Sequence, residues 1–140
     1  MKLGMYAYVT EDPEIGNNKV DISLTDDAYR MAYWREFNHL HEFFERLYYE
    51  KGGLQEFNCR TVRVDYDDLD DLEERLKNNL LETSGGFIWE DEVIAKEDVE
   101  DTFTFIERAR KFLNQGYVIL YMIRGGNQTF EIRKGKTNLS

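Results

Sequence analysis

The sequence predicts an α+β fold, a single domain in which about three helices pack on a mostly antiparallel sheet. Some segments alternate apolar and polar residues, as strands do, and others repeat apolar residues at three- and four-residue intervals, as helices do. These segments follow one another as strand, helix, strand, helix, helix, strand and strand, an order typical of this class. The chain has 140 residues, 41% of them hydrophobic, and shows no repeat or linker. We therefore expect one domain over residues 1–134 and a flexible tail over 135–140.

The first half of the chain predicts one strand and one long helix. Alternation in "LGMYAYV" predicts a strand with one buried face. The loop "EDPEIGNNK" follows, and "VDISL" is a possible short strand. A helix is predicted from about Asp26 to Glu50, with Thr25 as its cap and "KGG" as its end. Its apolar residues fall on one stripe of a helix: Tyr33, Phe37, Leu40, Phe44 and Leu47.

The second half predicts two more helices and the remaining strands. "CRTVRV" alternates like a strand, and "DYDDLDDLEERLKNNLL" predicts a helix capped by Asp67. After the loop "ETSGGFIWEDE", a third helix is predicted from about Lys96 to Asn114, ending at Gly116. "YVILYMI" is apolar on both faces, which predicts a central strand. "RGGNQ" then predicts a turn into "TFEIRK", an edge strand.

The composition argues against several classes of function. A net charge of −10 opposes nonspecific binding to nucleic-acid phosphate, so we expect no direct nucleic-acid partner. The same charge suits docking on a basic protein, although solubility explains it equally well. The single cysteine, Cys59, excludes an intramolecular disulfide and fits a reducing compartment. No apolar run approaches about 20 residues and no signal peptide begins the chain, so we expect no membrane association.

The stretch "WREFNHLHEFF" holds both histidines of the chain, His39 and His41. On a helix they point about 200° apart, so we expect no shared metal ion, with His39 facing solvent and His41 bordering the core. Trp34, Asn38 and His41 would share one flank of that helix, and Arg35 would lie at its rim. Two interpretations stay open for this flank: a buried polar network, or a small pocket that binds a ligand.

An acidic group and an aromatic loop are further candidates for a partner-binding surface. Asp67, Asp68, Asp70 and Asp71 favour the start of a helix, and they could also form a carboxylate row that occupies a basic groove on a partner. Trp89 in "GGFIWE" could anchor the same interface or fold back over the core.

Catalysis is the weaker interpretation of this sequence. Asp98 and Thr102 share one face of the third helix and could form an acid–base group with His41. No nucleophile or metal-ligand spacing accompanies them, and there is no phosphate-binding G-x-x-x-x-G-K-[ST] loop. We therefore expect neither an enzyme nor a cofactor.

Four segments resemble motifs of a family of small bacteriophage and prophage proteins that has no assigned activity. They are "MKLGMYAY", "YWREFNHLHEFF", "TSGGFIWE" and "EDVEDTFTFIERA", which agree in order and rough spacing over about residues 1–121. The chain departs from the family pattern at Glu36, Phe43 and Gly86, and it continues into a C-terminal hairpin. The matching residues are Tyr33, Trp34, Arg35, Asn38, His41, Phe44, Ser84, Gly85, Phe87, Asp98, Asp101 and Thr102. The resemblance implies an accessory protein that acts in the cytoplasm of a bacterial or phage-infected cell.

Two hypotheses follow. The first is a non-catalytic acidic binding protein that engages a host macromolecule, most naturally a protein, in host takeover or anti-defence. Its partner-binding candidates are Asp67, Asp68, Asp70, Asp71 and Trp89. The alternative is a binder of a nucleotide-like small molecule, with Trp34, Arg35, Asn38, His41, Ser84, Gly85, Phe87, Asp98 and Thr102 as ligand-binding candidates. The pattern does not determine the oligomeric state.

Overall fold

A sheet with helices on one face organises the protein, and the predicted α+β class is confirmed. The structure is a computed structural model that describes residues 3–35, 37–78 and 96–125. Within these residues four strands form one antiparallel sheet in the order β2-β1-β4-β3, and there are three helices. The elements are β1 Leu3–Thr10, β2 Tyr29–Arg35, α1 Asn38–Glu50, β3 Thr61–Val64, α2 Tyr66–Lys77, α3 Lys96–Asn114 and β4 Val118–Gly125. None of these three helices has the length and hydrophobicity of a membrane span.

The main core lies between the sheet and the three helices. Alternate residues of each strand point to the same face, so Met5, Ala7 and Val9 of β1 meet this core together. Buried apolar side chains from α1, α2 and α3 complete it, including Phe44, Leu72 and Ile106.

The opposite face of the sheet carries a second, smaller core, whereas the alternation predicted one buried face only. Tyr8, Leu120 and Met122 pack there beneath Ile15, Ile22 and Leu24 of the segment between β1 and β2. The hydroxyl of Thr61 fixes this segment, because it accepts from the Ile22 N–H at 2.7 Å and donates to the Ile22 carbonyl at 2.8 Å. "VDISL" is therefore not a strand, although Val20 forms a single bridge with Val62.

The prediction of a long helix from Asp26 to Glu50 is wrong over about its first half. Tyr29–Arg35 is strand β2, which pairs with β1 in the register Met5 opposite Trp34, and α1 begins only at Asn38. Thr25 belongs to a turn, where its carbonyl accepts from the N–H of Ala28 at 3.1 Å. Backbone pairing with β1 overrides the local apolar spacing, and Tyr33, expected on the buried stripe, is 49% exposed.

The described elements in the second half of the chain agree closely with those predicted from the sequence. β4 is central, between β1 and β3, and α3 has the predicted limits. Gly116 adopts φ 93° directly after α3, a conformation that favours glycine at a helix end. The α2 cap is Asp65 rather than Asp67, since Asp68 accepts from the Asp65 N–H at 2.8 Å.

Several predictions lie outside the described residues. They concern the strand "TFEIRK", the tail 135–140, the candidate residues Ser84, Gly85, Phe87 and Trp89, and the turn "RGGNQ" after its first two residues, Arg124 and Gly125, which belong to β4.

Candidate functional site

The predicted flank of Trp34, Asn38 and His41 does not exist, because Trp34 belongs to β2 and the other two belong to α1. Asn38 is exposed at the first turn of α1. Arg35 is exposed on β2 opposite Gly4. The side chains that were expected to share one flank of a helix therefore lie on two different elements.

Trp34 is a buried link between β2 and α3. Its side chain is 2% exposed, and its indole N–H donates to the hydroxyl of Thr102 at 3.0 Å. Thr102 in turn donates to the carbonyl of Asp98 at 2.7 Å. Phe105 meets the indole edge-on with 5.2 Å between ring centroids. Three predicted ligand-binding residues are thus brought together, but in a satisfied structural network rather than as a stacking platform.

His41 borders the core, as predicted. Its ring stacks on Phe57 with 5.9 Å between centroids and 5° between planes. The Nδ1 atom is buried and has no hydrogen-bond partner among the described residues. Burial lowers the pKa of His41 to about 4, so the imidazole is neutral at physiological pH.

The prediction that His39 faces solvent is wrong, since its side chain is 1% exposed. It lies beside Phe37, with 6.4 Å between ring centroids. Both histidines are nevertheless on α1, where the side chains of residues two positions apart point in different directions. Within the described ranges no group of three or more His, Cys, Asp and Glu side chains could hold a metal ion.

The carboxylate row of α2 is largely paired within the chain. Asp68 meets the ammonium of Lys51, Asp70 accepts from Arg110 at 2.6 Å, and Asp71 accepts from Arg75 at 2.9 Å. Asp67 is exposed at the start of the helix. Most of the predicted partner-binding acids therefore serve the helix and its contact with α3, although exposed pairs of this kind contribute little stability and can exchange partners.

An open notch between β2 and α3 is a candidate site that the sequence did not reveal. It has a volume of about 180 Å³ and is lined by residues 31–34 of β2 and by Asp101, Thr104, Phe105 and Arg108 of α3. The Arg108 guanidinium donates to the Met31 carbonyl at 3.1 Å across the notch. Among the described strands β2 is outermost, with β1 on its inner side, so the notch runs beside an edge strand. The sequence predicted a helix over the residues of β2, and a notch beside this strand does not follow from that prediction.

The charged residues that line the notch are Asp101 and Arg108, and two further acids, Glu97 and Asp98, precede Asp101 on α3. Glu97 and Asp101 are exposed, and Asp98 is half-buried between them in sequence. Burial raises the pKa of the Asp98 carboxyl above its usual value, and the charges of Asp101 and Glu97 raise it further. The three carboxylates therefore lie close enough to repel one another, and a cation would relieve that repulsion.

The chain as a whole was compared with known proteins at three levels. No protein-family model, curated protein or solved structure matches it. The resemblance to small phage and prophage proteins therefore stays a prediction.

Proposed function

We propose that this protein is a non-catalytic acidic binding protein that holds an extended, basic segment of a partner protein in the notch between β2 and α3. The observation that carries the proposal is the outermost position of β2 among the described strands, beside an open notch that Asp101 lines. The phage-type context implied by the resemblance makes a protein of the bacterial host the expected partner.

An edge strand beside a helix suits recognition by strand addition. An extended peptide can pair with the exposed backbone groups of such a strand, and its alternate side chains then enter the neighbouring groove. The carbonyl of Met31 faces this side, where the Arg108 guanidinium donates to it, and a bound segment would take the place of that bond. Residues 31–34 would supply the backbone contacts, and Thr104 and Phe105 would line the floor against which partner side chains pack.

The charge of α3 favours a basic partner. Asp101 lines the notch, and Glu97 and Asp98 precede it on α3; Arg108, the other charged lining residue, is held by its bond to the Met31 carbonyl. Lysine or arginine side chains of a bound segment would reduce the repulsion among these carboxylates. We therefore propose α3 for the interface rather than the α2 row, where Asp68, Asp70 and Asp71 already have cationic partners.

A displayed library of random peptides about twelve residues long tests the proposal. Selection on the wild-type protein should enrich peptides that alternate strand-forming residues with Lys or Arg. Asp101→Arg should abolish the enrichment, since it reverses the charge at the notch, and Thr104→Arg should do so by filling it.

Glu107→Arg provides the matched control. Glu107 is an exposed acid on the same helix that does not line the notch, so the charge change is the same and binding should persist. Enrichment of acidic or helical peptides, or equal loss of binding in the Asp101→Arg and Glu107→Arg proteins, would overturn the proposal.

A further inference from the structure

The face of the sheet opposite the helices carries arginines and tyrosines in register around β1 and β2. Residues directly opposite each other in an antiparallel pair share a face, so the register places three cross-strand rows on this side. The rows are Arg35–Gly4–Arg124, Tyr33–Tyr6–Met122 and Arg30–Tyr8–Leu120. We call Tyr6, Tyr33, Arg30 and Arg35 the Tyr–Arg surface. It lies beside the second core, which covers Tyr8, Leu120 and Met122 and against which Tyr6 packs.

The two tyrosine rings of the Tyr–Arg surface pack against each other at a tilt and form a small aromatic layer. Their centroids are 5.3 Å apart, with 42° between the ring planes. Tyr33 is 49% exposed, and Tyr6 is half-buried. Gly4 lets the Tyr6 ring lie along the strand, because a Cβ at position 4 would come within 2.5 Å of the Tyr6 hydroxyl.

The arginines give this aromatic layer a positive charge within an acidic protein. The Arg30 guanidinium lies 5.4 Å from the centroid of Tyr6 and 5.8 Å from that of Tyr33. Arg35 is exposed at the end of the same strand. Arg30 and Arg124 both lie close enough to Tyr8 to lower the pKa of its phenol, against the larger raising effect of burial. An anion approaching this side therefore meets positive charge locally, although the whole chain carries −10.

We propose that the Tyr–Arg surface binds single-stranded nucleic acid, with bases stacked on Tyr33 and Tyr6 and phosphates contacted by Arg30 and Arg35. Aromatic rings beside arginines on an open sheet face suit this ligand, because every base has a face that stacks and every nucleotide has a phosphate. An acidic peptide would match the arginines but leave the paired rings without stacking partners. The expectation that net charge excludes nucleic acid is revised accordingly: the chain's charge weakens long-range attraction, and contact at this surface is short-range.

Fluorescence anisotropy with labelled oligothymidylate and oligouridylate, each about twelve nucleotides long, tests the proposal at about 50 mM salt. Tyr33→Ala should weaken binding at least about fivefold, which corresponds to the loss of one stacked base, whereas Tyr33→Phe should retain it. Arg30→Gln and Arg35→Gln should each reduce the slope of log affinity against log salt by about 0.7.

Two controls separate this surface from the rest of β2. Tyr29 is exposed on the same strand but stands opposite Val9 on the core face, so Tyr29→Ala should leave oligonucleotide binding unchanged. Asp101→Arg, which tests the notch, should not weaken it either. No anisotropy change with the wild-type protein, equal loss in Tyr29→Ala and Tyr33→Ala, or equally tight binding of a poly-glutamate peptide would overturn the proposal.

Discussion

The buried imidazole of His41 should make the stability of this protein fall as the pH is lowered from 7 to 5. Burial depresses the pKa of His41 to about 4 in the folded state, against 6.5 for the ordinary side chain. Below pH 6.5 the unfolded chain therefore binds a proton at this residue that the folded chain does not take up until about pH 4. The free energy of unfolding consequently decreases as the pH falls through that window, and His41 has no such effect above pH 7.

The magnitude follows from the two pKa values. A difference of about 2.5 pKa units corresponds to about 3 kcal/mol once the pH is below both values. About 2 kcal/mol of this should already be lost at pH 5, where the unfolded imidazole is protonated and the folded imidazole is still neutral. The stacked contact with Phe57 explains the direction, because the ring is withdrawn from water without a hydrogen-bond partner for Nδ1 among the described residues.

Urea unfolding at a series of pH values, with wild type and His41→Leu compared, isolates this effect. Leucine has a similar volume and does not titrate, so its curve should lack the loss between pH 7 and 5. Glu45 contributes with the opposite sign, because burial and the charges of Glu42 and Glu56 raise its pKa. The free-energy cost of burying the charged Glu45 carboxylate is relieved when this group gains a proton, near and above pH 4.5. Both proteins contain Glu45, so its effect cancels in the comparison. Parallel curves for the two proteins would show that His41 is not buried as a neutral ring.

Three further predictions concern stability at neutral pH, each measured by urea unfolding. Thr102→Val removes the acceptor of the Trp34 indole N–H, and the buried donor left behind should cost about 1–3 kcal/mol; a change within about 0.5 kcal/mol would mean that water reaches the indole. Asp68→Ala removes the side chain that accepts from the N–H of the cap residue Asp65 and pairs with Lys51, and it should cost about 1 kcal/mol, whereas Asp67→Ala should be nearly neutral. Equal losses of stability in the Asp68→Ala and Asp67→Ala proteins would contradict this capping arrangement. Gly116→Ala should destabilise by about 1 kcal/mol, since φ 93° is strained for alanine, and a stabilised variant would contradict that backbone conformation.

The elements that the sequence predicted well are those that local signals determine. In α3, apolar residues recur at helical spacing over the whole helix, and a glycine follows its end. In β4, successive residues are apolar, which predicts a strand buried on both faces. Both lie where expected. The fold class follows from these elements and from β1 and β3.

The sequence failed at β2 because the decisive interaction is distant along the chain. The apolar positions at Tyr33 and Phe37 continue the helical spacing of α1 by coincidence, whereas pairing of β2 with β1 is a contact that no local pattern contains. The second core was missed for a similar reason, since Ile15, Ile22 and Leu24 lie in a segment without any period.

The candidate site was predicted in part. The resemblance grouped Trp34 with Asp98 and Thr102, and the structure does join the indole to Thr102. The purpose of that contact is structural, and the open feature lies beside it, at Asp101 and Arg108. Finding the notch requires knowing that β2 is an edge strand, and this depends on the order of strands rather than on their residues.

The position of β2 gives the two proposed surfaces a physical connection. Tyr33 lines the notch and also belongs to the Tyr–Arg surface, so one strand borders both. A peptide that pairs with the outer side of β2 would fix the backbone of the residue on which a base is proposed to stack. The two ligands should therefore influence each other's affinity by the same factor in either order of addition, because the coupling between two binding equilibria is reciprocal. Arg30 lies on the nucleic-acid side only and Asp101 on the peptide side only, so substitutions at these two positions distinguish direct loss of binding from this coupling.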